Sequence, residues 1–453
     1  MIQVPFWPNP SNYHEIELGL SRVLELLKRL NDPHLKIPPT IHIAGTNGKG
    51  STLSFTRSIL EELDLKVHLY TSPHLAYFNE RILLSGERIT DDFLAECLTE
   101  CKKAAEKFPT IPVTFFEGIT VAAFLAFSRI PADILLLETG MGGRLDATNV
   151  LPKVLSSIIT PIAFDHTDFL GKTLTKIAFE KAGIIKKNCP VIIGKQKSQA
   201  LYVLENQALV SGSEVKIFGR DWKIKKQKSG FIFTGFDQEI HCQNPSLLGD
   251  HQIENASVAI ACLLTQKHFK IDFFQNHLLA AKKKRSHGVL NNGSELKKDR
   301  INAAISKSFW PARLQKIISG KFVKDLPQNC DLYLDGSHNL QGAMTVKKFL
   351  KKQTDRKIFV IFSMLNDKDC EGFLKIISTE IDQLVSIPIP DESRSRNSEE
   401  ITQIAKKVGI SSIPCTDLNE ALQLVRKQLD GREKNLILVC GSLYLAGHFL
   451  RST

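Results

Sequence analysis

Residues 40–63 restrict the folds open to this chain more than any other stretch. A short apolar run, TIHIA (40–44), passes into Gly45-Thr46-Asn47-Gly48-Lys49-Gly50-Ser51-Thr52, and that loop into a helical pattern ending near Leu63. A buried strand, a glycine-rich loop and a helix open a parallel α/β layer, because parallel strands are joined through crossovers that are usually helical. The alternation continues. KVHLYTS (66–72), DILLLE (133–138), VLSSIIT (154–160) and PVIIG (190–194) read as strands, the last three buried on both faces. DDFLAECLTECKKAAEKF (91–108), with Thr90 as N-cap, and GITVAAFLAFSRI (118–130) read as helices. A first helix is expected over 15–30, with Ile16, Leu20, Val23, Leu24, Leu27 and Leu30 as its apolar stripe. Between about 196 and 245, EVKIFG, WKIKK and GFIFTGF are short and punctuated by glycine, which predicts a small, largely antiparallel appendage. A helix follows at 250–267, with Ala256, Ala259, Ile260, Leu263 and Leu264 on one stripe. After about 306 the order is DLYLDG, a helix, KIFVIFSML, a helix, QLVSIPI, two helices and NLILVCGS, a second α/β domain.

The 453 residues argue for two or three domains. We divide them as 1–305 and 306–453, the first part carrying the appendage and a basic insertion at about 280–305. Apolar residues at 43% and charged residues at 24% exclude wholesale disorder. No apolar stretch approaches the ~20 residues needed to span a bilayer, and the N-terminus has no basic n-region or apolar h-region. Nine scattered cysteines without a CxxC suit a reduced, cytoplasmic compartment. The net charge of +11 is partly local, since residues 281–300 hold seven basic and two acidic residues. Without interleaved aromatics or a nucleic-acid motif, that stretch reads as a solvated linker, and neither a nucleic-acid nor a membrane partner is expected.

Phosphates need backbone N–H groups that can approach closely, and glycines before a helix N-terminus supply them. Lys49 would sit on the β/γ-phosphates, with Ser51 on phosphate or magnesium. The strict Walker pattern fails, because it needs Gly at Ile43 and Ser or Thr at Gly50, so an ordinary turn capping a helix stays open. Glu138 ends a strand at the carboxyl edge of the sheet, where open α/β sheets bind ligands, and could ligate magnesium or cap a loop. His166 falls on the same edge as a metal ligand or a structural histidine. Lys181 lies in a helix, where a lysine is normally a surface cation.

Eleven blocks in order now carry a resemblance. GTNGKGST is followed by TSPHLAYFNERI (71–82), TFFEGIT (114–120), ETGMGGRLDATN (138–149), DHTDFLG (165–171) and EKAGII (180–185). HQIENASVA (251–259), WPARLQ (310–315), LDGSHN (334–339), SMLNDKD (363–369) and CGSLYLAG (440–447) complete the series. The chain resembles the folate branch of the Mur-type ATP-dependent amide ligases, the dihydrofolate synthases and folylpolyglutamate synthases. The resemblance implies an α/β fold: a P-loop parallel-sheet ATPase domain with a small antiparallel appendage, plus a C-terminal Rossmann-like α/β domain that handles glutamate. It implies that ATP phosphorylates a carboxylate, that L-glutamate attacks the acyl phosphate, and that the acceptors are dihydropteroate and tetrahydrofolate polyglutamates. A cytoplasmic monomer using two Mg²⁺ ions is expected.

Residue by residue, the resemblance puts Asn47, Gly48, Lys49, Gly50 and Ser51 on the ATP phosphates. Ser72 and Glu138 match ligands of the first magnesium, Glu138 and His166 of the second. Lys181 matches the lysine that carbon dioxide converts to N6-carboxylysine, and Lys49, His166 and Lys181 are the expected catalytic residues. Asn255 (base side), Arg313 (phosphates) and Asp335 (ribose side) match nucleotide contacts, the last two reached by domain closure. Gly19, Leu20, Thr114, Phe116, Glu117, Asp146 and Ala147 match the dihydropteroate pocket, although Phe115 or Phe116 could equally be core. His338 and Ser393–Arg396 match the glutamate side. Leu340 stands where the family usually has Pro, and Ser363 where it usually has Gly. Competing readings are a Mur ligase acting on a nucleotide-linked peptide, a P-loop switch and a basic RNA-binding protein. GKGST and LDATN favour the folate branch over the first, the second α/β domain argues against the second, and charge alone suggests the third.

Overall fold

The structure, a computed structural model, describes residues 6–8, 18–268, 298–429 and 431–453. Residues 15–17 and most of the basic insertion, 280–297, lie outside the described residues. Two compact units form. One runs to Ser246 and resumes over Gln252–Phe309; the other holds Leu247–His251 and Trp310–Thr453.

The first unit is built on β1 (Thr40–Ala44), β2 (Val67–Tyr70), β3 (Ile82–Leu84), β4 (Glu87–Arg88), β5 (Ile134–Glu138), β6 (Ser156–Ile159), β7 (Val191–Ile193) and β8 (Val215–Ile217). They form one sheet in the order β4-β3-β2-β5-β1-β6-β7-β8. Every pair from β2 to β8 is parallel; only β3 and β4 run against their neighbours. β1, β5 and β6 are buried at every position, as a sheet covered on both faces requires.

Helices α1 (Ser21–Arg29), α2 (Lys49–Glu62), α3 (Asp91–Glu106), α4 (Phe115–Arg129), α5 (Thr167–Leu170), α6 (Leu174–Ala182) and α7 (Ser198–Val210) precede α8 (Asp250–His268) and α9 (Lys298–Lys307). α1 starts later than the periodicity predicts. It turns Leu26 inward with Val23 and Leu27, while Leu24 is 42% exposed. α4 starts earlier, at Phe115, because Thr114 and Glu117 form a capping box that ends the preceding loop.

The appendage is smaller than expected. Residues 198–217 supply α7 and β8, which extend the parallel sheet. The antiparallel part is only β9 (Trp222–Gln227), β10 (Gly230–Gly235) and β11 (Gln238–Gln243). EVKIFG is too short for its pattern to distinguish a parallel edge strand from a hairpin strand.

The second unit has β12 (Gln315–Ile317), β13 (Cys330–Leu334), β14 (Arg356–Phe362), β15 (Gln383–Ser386), β16 (Ser412–Pro414) and β17 (Lys434–Cys440), in the order β12-β13-β17-β14-β15-β16. All pairs are parallel except β12 with β13. The three-residue β16 separates the two consecutive helices of the sequence reading. Leu340 occupies the first turn of the helix Leu340–Leu350, where a proline is favoured but a free N–H costs nothing, so that departure leaves the turn intact. No helix among the described residues is long and apolar enough to cross a membrane. All nine cysteines are buried free thiols.

Candidate active site

Register alone brings four segments to one edge of the first sheet. Ile43 is paired with Glu138 on one side and Ile158 on the other, and Tyr70 with Leu137. The chain therefore leaves β1 toward Gly45, β2 toward Ser72, β5 at Glu138 and β6 toward His166, all at the carboxyl edge.

The 45–52 loop is held from below. Thr46 N and Asn47 N donate to Pro161 O at 3.0 and 3.3 Å, and Thr46 Oγ1 bridges to Ala163. Gly48, at φ +88, precedes the first turn of α2 and supplies no side-chain cap, so the helix N-terminus presents its first-turn amides outward. A Cβ on Gly48 would lie 2.6 Å from Asn255 Oδ1, which places Asn255 against this loop. Gly45 is more confined. Its φ is +151, and a Cβ there would lie 1.8 Å from Thr160 Oγ1. Gly45→Ala is expected to cost about 3 kcal/mol or more in chemical denaturation.

Lys49 folds back over its own loop. Its Nζ donates to Gly45 O at 3.2 Å and Thr46 O at 3.4 Å, and lies 3.8 Å from Glu138 Oε1. Lys181 Nζ reaches the same carbonyl, Gly45 O, at 2.9 Å. Two lysine amines thus meet on one oxygen. Lys181 is buried because it shares the inward face of α6 with Leu174, Ile177, Ala178 and Ala182. Its amine is pushed down to about 7, first by burial and then by the Lys49 ammonium, against the pull of Asp165 and Asp146.

Glu138 is buried at the strand end. Ser72 Oγ is buried with no hydrogen-bond partner among the described residues, and a buried hydroxyl oxygen of this kind fits a hard cation. His166 has its backbone in the left-handed region at φ 49, and its ring is 43% exposed, 4.0 Å from Asp165 Oδ1. No three His, Cys, Asp or Glu side chains among the described residues gather into a metal cage. A magnesium here would need substrate oxygens as well, which is how that ion is usually held.

The glycine run after Glu138 has a packing reason. A Cβ on Gly140 would strike the Phe116 ring at 2.4 Å, and one on Gly143 would lie 2.8 Å from Glu180 O in α6. Arg144 N also donates to Glu180 O at 2.7 Å. Glycine lets this loop press on α6, the helix that carries Lys181.

Around the same loop lie the residues expected on the acceptor. Phe116 is half-buried on Gly140, 6.3 Å from Tyr70 between ring centroids, whereas Phe115 is core, edge-on to Phe78. Glu117 is buried; it accepts from Thr114 N and from Arg22 Nη2 at 2.9 Å. Leu20, like Phe116, packs partly buried against the core, and a Cβ on Gly19 would meet nothing within 4 Å. Ala147 is buried, and Asp146 accepts from Met141 N, Thr148 N and Thr148 Oγ1.

In the second unit, Asp335 accepts from Leu314 N and Ser337 N, both at 2.8 Å, which ties the Arg313 turn to the end of β13. His338 Nδ1 lies 2.9 Å from Gly336 O. Arg394 is held by Glu392 and by the Tyr444 hydroxyl.

Sequence reasoning passed over Arg22, Tyr70 and Arg81. Arg81 is 2% exposed, donates to His74 Nδ1 at 3.0 Å and stacks on Phe78. A charged residue directly before the apolar run ILL (82–84) was the available signal.

This edge of the sheet belongs to a known class. The Mur ligase middle domain matches residues 43–263, and the dihydrofolate synthetase C-terminal domain matches 321–452. The dihydrofolate synthase/folylpolyglutamate synthase of Bacillus subtilis is 30% identical over 95% of this chain and 93% of its own. The folylpolyglutamate synthase of Lacticaseibacillus casei is 32% identical over 94% and 92%. Escherichia coli FolC in complex with DHPP and ADP superposes with a TM-score of 0.80 at 26% identity, over 96% of this chain and 93% of that one. The Yersinia pestis bifunctional enzyme complexed with AMPPNP and Mn ion gives 0.78 at 26%, over 96% and 93%. This chain belongs to the dihydrofolate synthase/folylpolyglutamate synthase family and is a ligase of folate metabolism.

Proposed function

We propose that this chain joins L-glutamate to dihydropteroate, forming dihydrofolate, and then to the γ-carboxylate of folylpolyglutamates. In each round ATP phosphorylates the acceptor carboxylate, the glutamate amine attacks the acyl phosphate, and phosphate leaves, with ADP as the other product. The meeting of Lys49 and Lys181 at Gly45 O, beside Glu138, carries the reading. Phosphorylating a carboxylate forces two anions together, and the preorganised Lys49 cation lowers that barrier.

In this reading Lys49 and Asn47, with the amides of Gly48, Gly50 and Ser51, bind the ATP phosphates through the P-loop. Ser72 and Glu138 hold one Mg²⁺, Glu138 and His166 a second. Bound there, magnesium screens the charge between phosphate and carboxylate. Lys181 is carbamylated: an amine near pH 7 is half neutral under working conditions, and only the neutral amine adds carbon dioxide. Phe116, Glu117, Thr114, Gly19, Leu20, Asp146 and Ala147 line the pterin side, where a half-buried ring beside fixed polar groups suits a flat heterocycle. Asn255, Arg313 and Asp335 are assigned to the nucleotide and His338 to glutamate, on the resemblance. The C-terminal domain is Rossmann-like, and the enzyme works as a cytoplasmic monomer.

Glutamate-dependent ADP release, with dihydropteroate and tetrahydrofolate compared as acceptors, tests this. Turnover with both supports the bifunctional ligase; turnover with one assigns the chain to that half-reaction. EDTA is expected to stop turnover and added Mg²⁺ to restore it. Folded, ATP-binding protein with no turnover on either acceptor would sink the reading.

A further inference from the structure

β1 carries one imidazole in its buried centre. His42 sits between β5 and β6, facing Leu137 and Ser157, with no exposed surface. Its Nε2 lies 2.9 Å from Thr148 Oγ1. Thr148 Oγ1 in turn donates to Asp146 Oδ1 at 2.5 Å, the length of a hydroxyl bond to an ionised carboxylate. Thr148 has one hydroxyl hydrogen, so its oxygen must accept from His42, and the imidazole carries its proton on Nε2. Nδ1 is then bare, and it is the ring atom buried without a partner among the described residues. Burial, aided by the Lys186 ammonium, pushes the imidazole down to about 3, so it stays neutral across the working range.

The far end of this chain is Asp146, in the loop that follows Glu138. The Asp146 charge is felt at Lys181 and at the Tyr70 hydroxyl, and its loop carries Gly140 against Phe116. The structure assigns His42 as a positioning residue that, through Thr148 Oγ1, fixes the Asp146 carboxylate at the wall of the acceptor pocket. This rests on the reading of Asp146 as an acceptor contact given above. The need is physical. Burial raises the Asp146 carboxyl, and hydrogen bonds from Thr148, Met141 and Gly140 oppose it. Without the relay the carboxylate can turn, or take up a proton, and no longer offers the acceptor a fixed anion.

Steady-state kinetics on His42→Leu, His42→Gln, Thr148→Val and Asp146→Asn test the assignment. Losing a bond of this kind is expected to lower kcat/KM for dihydropteroate about tenfold in His42→Leu and in Thr148→Val. The double variant should be no worse than either, since both cut one chain. His42→Gln, whose amide nitrogen reaches the place of Nε2, should recover to within about threefold, and KM for ATP should move less than about twofold throughout. A silent His42→Leu, multiplying effects, or a folded Gln variant as impaired as Leu would overturn the relay. If Asp146→Asn leaves kcat/KM for dihydropteroate unchanged, the acceptor reading of Asp146 fails first and the relay with it. If Asp146→Asn is impaired while His42→Leu and Thr148→Val are silent, only the relay fails. Should the Leu variant not fold, Thr148→Val and the NMR tautomer of His42 in the unmodified protein decide. A proton on Nδ1 in place of Nε2 contradicts the relay.

Discussion

Replacing Lys181 with alanine should reduce glutamate-dependent ADP release by about a thousandfold or more, and added formate or acetate should restore part of it. The rescue separates two roles. If Lys181 works as a carbamate, a diffusible carboxylate can occupy the space and supply the missing anion. If it works as an ammonium, a carboxylate has the wrong sign and rescue fails. The buried amine titrates near 7, so carbon dioxide dependence should weaken above neutrality and sharpen as pH falls through it. Stability should rise with pH over the same range. The folded state prefers the neutral amine while the unfolded chain keeps its proton up to the ordinary lysine range, so unfolding takes up a proton between those two values. The unmodified lysine therefore costs stability most below pH 7, and the cost fades as pH rises toward the ordinary lysine value. Lys181→Met should be the more stable protein at about pH 6, by a few kcal/mol, and lose most of that advantage by about pH 10. Gly45 O keeps Lys49 as a donor in that variant, so no carbonyl is orphaned. Denaturant melts at the two pH values check the sign.

Lys49→Met should lower kcat by about a thousandfold without carboxylate rescue, because the loss is of a cation at the transferring phosphate. Lys49→Arg should recover little. Nζ lies among Gly45 O, Thr46 O and Glu138 Oε1 at 3.2–3.8 Å, a tripod that fits a compact ammonium better than a planar fork. The two lysines are coupled: the Lys49 charge helps depress Lys181, so Lys49→Met should also raise the pH at which Lys181 takes up carbon dioxide. Isotope-labelled carbon dioxide uptake, followed against pH in both proteins, measures that shift.

Much of this site could be read in the chain. Glu138 lies at the carboxyl edge because DILLLE is a buried strand that ends there, and the 45–52 loop lies at a helix N-terminus because a strand and a helix flank it. These are local facts of pattern, and the tertiary fold kept them. Phe115 and Phe116 could not be separated by pattern, because adjacent helical residues differ only by where neighbours sit; Gly140 settles it by leaving room for the Phe116 ring. Lys181 was legible in principle, since Leu174, Ile177, Ala178, Lys181 and Ala182 share one helical face. A lysine's usual preference for water overrode that period.

Residue types, their order and the edge of the sheet they reach follow from local propensity and hydrophobic period, which act over a few residues. Which atoms meet does not. Lys181 finds Gly45 O across 136 positions, and His42 finds Thr148 across 106. Those meetings depend on strand order, on α6 pressing against a glycine loop, and on burial that strips water from an amine and an imidazole. The chemistry's components are therefore written along the chain, while their charge states and mutual distances arise only when remote segments exclude solvent together.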